Sequence, residues 1–440
     1  MEEYFRDIAG IVASLVRGDE IELTSFQGED SDFVRWNAGR VRQAGSVAMR
    51  SVRVDLISRR RHAEGTVSLS GDLALDRERL EKLVESLREQ RELLPEDPFL
   101  AYAAEPRSTE RRENNRLPSR DEALEEIDAV ARGRDLVGIY AAGGVYRGFA
   151  NSLGQTNWYE NWSYNFDWSF VREADKAVTA NYAGFEWSRT AFEEKVAAAA
   201  VELALLGEPA RTVRPGRYAV YLAPAALAEL LGLLGWGGFG LRAHRTKTTP
   251  FLRMIENGAR LDPAITLVEN TRDGLAPGFQ EQGFLRPDRI PLIEAGGYRE
   301  CLASPRSSLE YGAATNGASE SEMPQSLELA AGELAPERVL ERMGTGIWIS
   351  NLWYLNYSDR AACRTTGMTR FATFWVEHGQ LVAPLSVMRF DETVYRMLGE
   401  KLVALTSERE WLLDASTYGQ RSTATTRLPG ALVDDFTLTL

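Results

Sequence analysis

From Trp158 to Phe170 six aromatic residues fall on alternate positions: Trp158, Trp162, Tyr164, Phe166, Trp168 and Phe170. A spacing of two puts side chains on one side of an extended strand and scatters them around a helix. The segment is therefore read as a long strand with one apolar face, and a sheet carrying such a face must have it covered. Two covers are open. One is the protein's own core, including the alanine-rich helix expected over Arg189 to Leu206, which should end at Gly207. The other is an extended peptide or a partner subunit, for which large aromatics supply much of the contact energy. A second aromatic group, Trp348, Trp353, Tyr354 and Tyr357, precedes Asp359 and Arg360 and is a candidate for the same wall.

The rest of the chain alternates between short strands and isolated helices. Phe5, Ile8, Ile11, Val12 and Leu15 have helical spacing. Ile21 to Phe26, Phe33 to Asn37, Ser46 to Ile57 and His62 to Leu69 read as separate strands, and Asp76 to Arg91 as a helix with Leu80, Leu83, Val84 and Leu87 along one stripe. Pro95 to Pro118 is an exposed connection, followed by a helix from Arg120 to Arg132. Asp135 to Ser188 is strand after strand, with Gly143-Gly144 and Gly154 as expected turns. Beyond Pro215 a second α+β region opens with a helix at Ala225 to Leu234 and continues in strands, long loops and a short helix near Glu392 to Val403. Ser304 to Glu328, rich in Gly, Ser and Asn, is either a mobile loop over a cleft or a plain surface connection.

Composition narrows the partners. The formal net charge of -13 repels phosphate backbones and anionic membranes, so no nucleic-acid and no membrane partner is expected. The runs Arg59 to Arg61 and Arg111-Arg112 are short and read as a solvated strand end and a loop. Tyr218 to Leu241 is apolar, but Pro224, Glu229 and several glycines leave a helical part too short to cross hydrocarbon. Cys301 and Cys363 are the two cysteines, far apart and without a CxxC, which fits a reducing, cytoplasmic setting. The acidic opening Met1-Glu-Glu-Tyr-Phe-Arg-Asp lacks an apolar core, so no signal peptide is expected.

Four stretches in order resemble the TldD/PmbA family. Phe33-Val-Arg-Trp-Asn-Ala-Gly-Arg-Val-Arg-Gln-Ala, followed by Ser51-Val-Arg-Val and Gly65, is similar to the family's N-terminal strand pair. Ala150-Asn-Ser-Leu-Gly resembles its Asn-Ser-x-Gly turn. Pro215-Gly-Arg-Tyr-Ala-Val-Tyr-Leu-Ala-Pro-Ala-Ala-Leu-Ala-Glu-Leu-Leu is similar to the strand and helix that open its C-terminal domain. Phe371-Ala-Thr-Phe-Trp-Val-Glu-His-Gly-Gln-Leu-Val-Ala-Pro-Leu resembles its penultimate hairpin. The resemblance implies an α+β protein: an N-terminal antiparallel sheet flanked by helices, spanning 1–190, and a large β-rich C-terminal domain, spanning 191–440. It also implies a dimer, a homodimer or a heterodimer, enclosing a chamber where unfolded peptide is cut.

In the catalytic, TldD-like branch the helix after the Leu-Leu pair carries His-Glu-x-x-x-His. Two imidazoles ligate zinc and the glutamate is general base for the metal-bound water. Here the corresponding positions hold Gly232, Leu233 and Gly237, which can neither coordinate a metal nor move a proton. The branch's third ligand, a cysteine, would fall near Ala415, and no cysteine follows Cys363. His62, His244 and His378 form no pair at helical spacing. The chain thus resembles the PmbA (TldE) branch: no catalytic residue and no metal of its own, with zinc expected only in a TldD-like partner subunit.

The remaining candidates are weaker. His244 sits in Arg242-Ala-His-Arg-Thr-Lys after a glycine-rich turn, as a peptide contact or an exposed loop residue. His378 belongs to the expected hairpin turn Glu377-His-Gly. Cys363, flanked by Arg360 and Arg364, is a nucleophile in one reading and a small core residue in the other. Gly235 to Gly240 lacks the Lys-Ser/Thr of a phosphate loop. Trp158, Trp162, Tyr164, Trp168, His244, Trp348, Trp353, Asp359 and Arg360 are the peptide-binding candidates. The leading expectation is a non-catalytic subunit of a zinc metallopeptidase acting on unfolded or leader peptides. The alternatives are a homodimeric peptide- or glycan-binding module, and a zinc-independent hydrolase using Cys363 or an Asp359–Glu377 pair.

Overall fold

The structure is a computed structural model that describes residues 1–113, 115–173, 176–416 and 419–439. Its N-terminal part is built on one large sheet whose strands are β1 (Ile21–Asn37), β2 (Arg40–Ser58), β3 (Arg61–Ser68), β4 (Thr109–Arg112), β5 (Asp135–Asn151), β6 (Thr156–Glu173) and β7 (Lys176–Gly184). They run in the order β3-β2-β1-β5-β6-β4, with β7 also on the β6 edge, antiparallel except for the β4–β6 pair. Helices α1 (Glu2–Ser14), α2 (Leu73–Leu93), α3 (Arg120–Ala131) and α4 (Arg189–Leu205) cover one face.

The alternation in β6 decides which face that is. Trp158 packs on Phe5 of α1, ring centroids 5.7 Å apart, and Phe166 meets Phe192 of α4 at 5.9 Å. Trp158, Tyr164, Phe166, Trp168 and Phe170 are each 2 % exposed or less. Apart from the half-buried Trp162, the even-numbered aromatics are thus the core under the helices, and they present no wall to a peptide. Because α4 contributes Phe192, Val196 and Ala199 to this core, a division at 190 would separate the helix from the surface it packs on.

Three details depart from expectation. Ile21 to Asn37 is one 17-residue strand, because Gln27, Glu29 and Ser31 face the C-terminal region and are bonded there instead of forming a turn. Gly143 and Gly144 lie inside β5: a Cβ on Gly143 would come within 2.2 Å of the Asp30 carbonyl oxygen on β1, so the glycine permits close strand approach and not a turn. Ser304 to Glu328 is tied down at both ends. Ser304 caps α8 (Pro305–Tyr311), and the buried Glu322 carboxylate accepts from the Ser304 and Arg242 amides, both at 2.9 Å.

The C-terminal part contains β8 (Gly216–Leu222), α5 (Pro224–Gly238), α6 (Leu241–Arg245), α7 (Leu252–Asn257), β9 (Leu267–Glu269), β10 (Ile290–Glu294), β11 (Gly297–Tyr298), β12 (Ser326–Leu329) and α9 (Val339–Met343). After α9 come β13 (Gly346–Asp359), β14 (Arg364–Glu377), β15 (Gln380–Pro384), β16 (Arg389–Thr393), β17 (Leu402–Leu405), β18 (Glu410–Leu413), β19 (Thr425–Leu428) and β20 (Ala431–Leu438). One sheet runs β11-β10-β9-β12-β19-β18. The other runs β13-β8-β20-β16-β14 and closes on itself through β13–β14 pairing, with β15 and β17 added at its margins. Leu227, Leu230, Leu231 and Leu234 fasten α5 to the core that this ring shares with the other sheet. Near Glu392 to Val403 the expected helix is a single π turn at Arg396–Glu400. Among the described residues no helix is long and apolar enough to cross a membrane.

Candidate functional site

The uncovered face of the N-terminal sheet is polar. Asn157, Asn161, Ser163, Asn165, Asp167 and Ser169 alternate with the buried aromatics of β6 and face the C-terminal part. Where this face approaches α5, β13 and β14 it bounds a cleft of about 1000 Å³. Arg35, Arg42, Asp167 and Asn181 line it from the sheet side. Ala225, Ala228 and Glu229 line it from α5, Asn351, Arg370 and Phe371 from the strand pair, and Leu412, Leu413 and Ala415 from β18 and beyond.

Alternation explains the first set; helical periodicity explains the second. The apolar stripe of α5 faces inward, leaving Ala225, Ala228, Glu229, Gly232 and Trp236 on its outer side. Glu229 is the ionisable group of that side, and burial raises its carboxyl above the ordinary range against the opposing pull of Arg370. Burial likewise raises Asp167. The Arg370 guanidinium lies 3.7 Å from the Trp353 ring centroid and 4.5 Å from that of Phe371, a stacked cation at the rim. Trp353 is 44 % exposed and its neighbour Tyr354 70 %.

Gly232 and Leu233 therefore stand on or beside the cleft-facing side of α5, where a metal-binding helix would present its ligands. The space around Gly232 is open, with no atom within 4 Å of where a Cβ would be. Past it the helix breaks: Trp236 and Gly237 leave helical geometry, Gly237 at φ 73°. The Arg360 Nη2 then donates to the Trp236 carbonyl at 3.3 Å, and the Tyr357 hydroxyl to the Leu233 carbonyl at 3.1 Å. Among the described residues no three His, Cys, Asp or Glu side chains are grouped to hold a metal. Gly232, Leu233 and Gly237, the positions that the resemblance aligns with the zinc motif, carry no side-chain donor and do not fit a zinc ion.

Of the residues singled out from sequence, the structure brings Trp353 to the cleft rim beside Arg370, and Arg360 to the broken end of α5. Asp359 is exposed and caps a turn through the Ala362 amide at 3.0 Å. Trp162 is half-buried on the helix-covered face, its Nε1 donating to Glu160 at 3.2 Å. Trp348 packs on Tyr221, centroids 4.5 Å apart, away from the cleft. His244 is no exposed loop residue: it sits in α6, with Nε2 2.9 Å from the Gly238 carbonyl and the Tyr298 hydroxyl 3.1 Å from Nδ1. Burial lowers its pKa and favours the neutral ring. His378 and Gly379 form the β14–β15 turn, φ 51° and 73°.

The hydrolase readings lose their geometry. Cys363 is fully buried and burial pushes its thiol up to about 12, far from a thiolate at neutral pH. Asp359 pairs with Arg364 at one end of β14 while Glu377 is the last residue of that 14-residue strand. The two carboxylates thus lie at opposite ends of a long strand and cannot share a substrate.

The sheet backed by helices and the ring of strands that carries α5 together define a two-part α+β scaffold. The description "PmbA/TldA metallopeptidase C-terminal domain" fits residues 215–440, just over half of the chain, and the chain belongs to the PmbA/TldD family. Solved structures extend the likeness to the whole length. TldE from Thermococcus kodakarensis superposes with a TM-score of 0.78 at 14% identity, over 99% of this chain and 100% of that one. A proposed modulator of a DNA gyrase from Thermotoga maritima gives 0.73 at 14% identity, covering 99% of each chain. Another from Bacteroides thetaiotaomicron gives 0.72 at 15% identity, over 100% of this chain and 98% of that one. At these identities the likeness is one of fold. No curated protein matches the sequence.

Proposed function

We propose that this chain is the non-catalytic, TldE-like subunit of a zinc peptidase, pairing with a zinc-bearing TldD-like chain and holding unfolded or leader peptide in the cleft beside α5. The observation that carries the reading is the outer side of that helix. It faces a cleft of about 1000 Å³, yet Gly232 and Leu233 offer no donor atom there and Gly237 ends the helix. The cleft suits an extended chain, with amide, carboxyl and guanidinium groups for a backbone and the exposed Trp353 and Tyr354 for side chains. Both cysteines are free, in keeping with work in the cytoplasm.

Co-expression with a family member carrying His-Glu-x-x-x-His tests the proposal. A stable complex of the two chains that cleaves peptide, with zinc in the partner alone, is the expected result. Stoichiometric zinc in this chain purified by itself, or failure to associate with such a partner, would overturn it. A peptide-binding homodimer is the second reading, favoured by the exposed pair Trp353 and Tyr354; peptide binding without any partner would support it.

A further inference from the structure

A second cavity, of about 450 Å³, lies toward the opposite end of β1 and β5 from the cleft. Arg147 in its wall and Ile139 in the cleft are roughly 25–30 Å apart along β5. The loop carrying Arg421 stands between the two spaces. Its guanidinium is spent on the Gly143 carbonyl at 3.1 Å and on the Ser163 carbonyl and hydroxyl at 3.0 and 2.7 Å.

Two other guanidiniums in the cavity wall are not spent. Arg147 donates through Nη1 to the Tyr146 carbonyl at 2.8 Å and the Gly28 carbonyl at 3.4 Å, leaving Nε and Nη2 without a partner among the described residues. Arg286 donates to the Gly317 carbonyl at 3.3 Å and to Gln325, leaving its second terminal nitrogen unused among the described residues. Neither has a carboxylate within 4.0 Å among the described residues, and burial lowers the pKa of both. Gln280, 6 % exposed, lines the same cavity, and its amide nitrogen has no hydrogen-bond partner among the described residues. The buried Gln280 amide with its unused donors is costly unless an acceptor arrives to meet it, and the two half-buried guanidiniums beside it have donors free for the same acceptor.

We infer that this cavity is a binding site for a carboxylate carried on a short peptide, with Arg147 and Arg286 as the forks that hold it. In choosing a peptide the inference rests on the function proposed above; the anion requirement stands on the cavity alone. Guanidinium forks take carboxylate and phosphate alike. The mouth decides between them. Glu281, held by Arg53, and Glu320, bonded to Gln282 at 3.0 Å, both line the cavity and are exposed. Two carboxylates there oppose a phosphate dianion more than a single carboxylate. Gln280, Gln325 and Ser422 supply the amide and hydroxyl groups that a peptide backbone can use. A space of this size holds a ligand of two or three residues.

Calorimetric titration of the isolated chain provides the test, with three probes: acetyl-Gly-Gly-Gly with its one free carboxylate, the neutral acetyl-Gly-Gly-Gly amide, and inorganic phosphate. The acidic peptide should bind at least tenfold more tightly than the neutral one. Arg286→Gln should cost at least tenfold. So should Ser321→Glu, which adds a charge at an exposed position of the cavity wall and leaves the fold alone; circular dichroism should be unchanged for both. Equal binding of both peptides, binding of phosphate alone, or no binding of any probe overturns the inference. Arg286→Gln should still associate with a zinc-bearing partner. Loss of acid binding with assembly retained therefore concerns this cavity alone, and failed assembly with acid binding retained concerns only the subunit proposal.

Discussion

The Arg421 Nη2 lies 2.7 Å from the Ser163 hydroxyl, joining a loop near the end of the C-terminal part to the middle of β6. The same guanidinium reaches the Gly143 carbonyl, and the Arg421 amide donates to Glu29 at 2.7 Å. One side chain thus gathers β1, β5 and β6 under the C-terminal part. Arg421→Met removes the guanidinium's bonds and leaves buried acceptors unpaired, at a cost of about 3 kcal/mol. Denaturant unfolding should show the midpoint falling by the corresponding amount. A change within about 0.5 kcal/mol would mean the contact is not a clamp.

Glu20 gives the fold a dependence on acid. Burial alone would raise its carboxyl, but Arg88, the Arg17 amide and Arg91 together outweigh that and bring it down to about 2. A folded-state value below the unfolded one of roughly 4.3 means the stabilisation is full above that pH and disappears as pH falls toward 2. Glu20→Gln should cost about 2 kcal/mol at pH 7 and nearly nothing at pH 2. Chemical denaturation at the two pH values distinguishes this from a plain packing loss, which would be equal at both.

Arg370 is the cation at the cleft rim, stacked on Trp353. Arg370→Ala should weaken binding of an unfolded peptide by about tenfold, or about 1.4 kcal/mol, with the melting temperature shifted little. Fluorescence anisotropy with a labelled peptide measures it. Unchanged affinity would move the peptide away from this rim.

Cys363 should be inert. Its buried thiol should resist an aromatic disulfide reagent in the native protein and react after denaturation. Cys363→Ala should leave any peptide processing by the assembled complex unchanged. Rapid native labelling, or lost processing with the fold intact, would revive a thiol mechanism.

The alternation in β6 was legible from sequence because it rests on local spacing, and the family was legible because four stretches fall in its order along the chain. Which side of the sheet faces the site was also written there: the odd positions 157 to 169 carry Asn, Ser and Asp, apart from Tyr159, opposite the aromatics. Large aromatics made the even side a candidate wall beside the reading as core, and bulk of that kind is first of all core material. Arg147, Arg286 and Arg370 left no comparable mark. The first two stand out by donors left unused and the third by its stack on Trp353, and both are properties of three-dimensional arrangement. The long β1 was read as two strands for a related reason: Gln27, Glu29 and Ser31 look like turn residues until Gln420 and Arg421, almost four hundred positions away, are seen to bond them.

The strand ring carries a temporal consequence. β20 lies between β8 and β16 and is paired along its length with residues 216–222, more than two hundred positions earlier. During synthesis one edge of β8 must wait unpaired until residues 431–438 have left the ribosome. A nascent chain halted before that point is an open sheet with an exposed edge, a form that holdase chaperones are suited to capture.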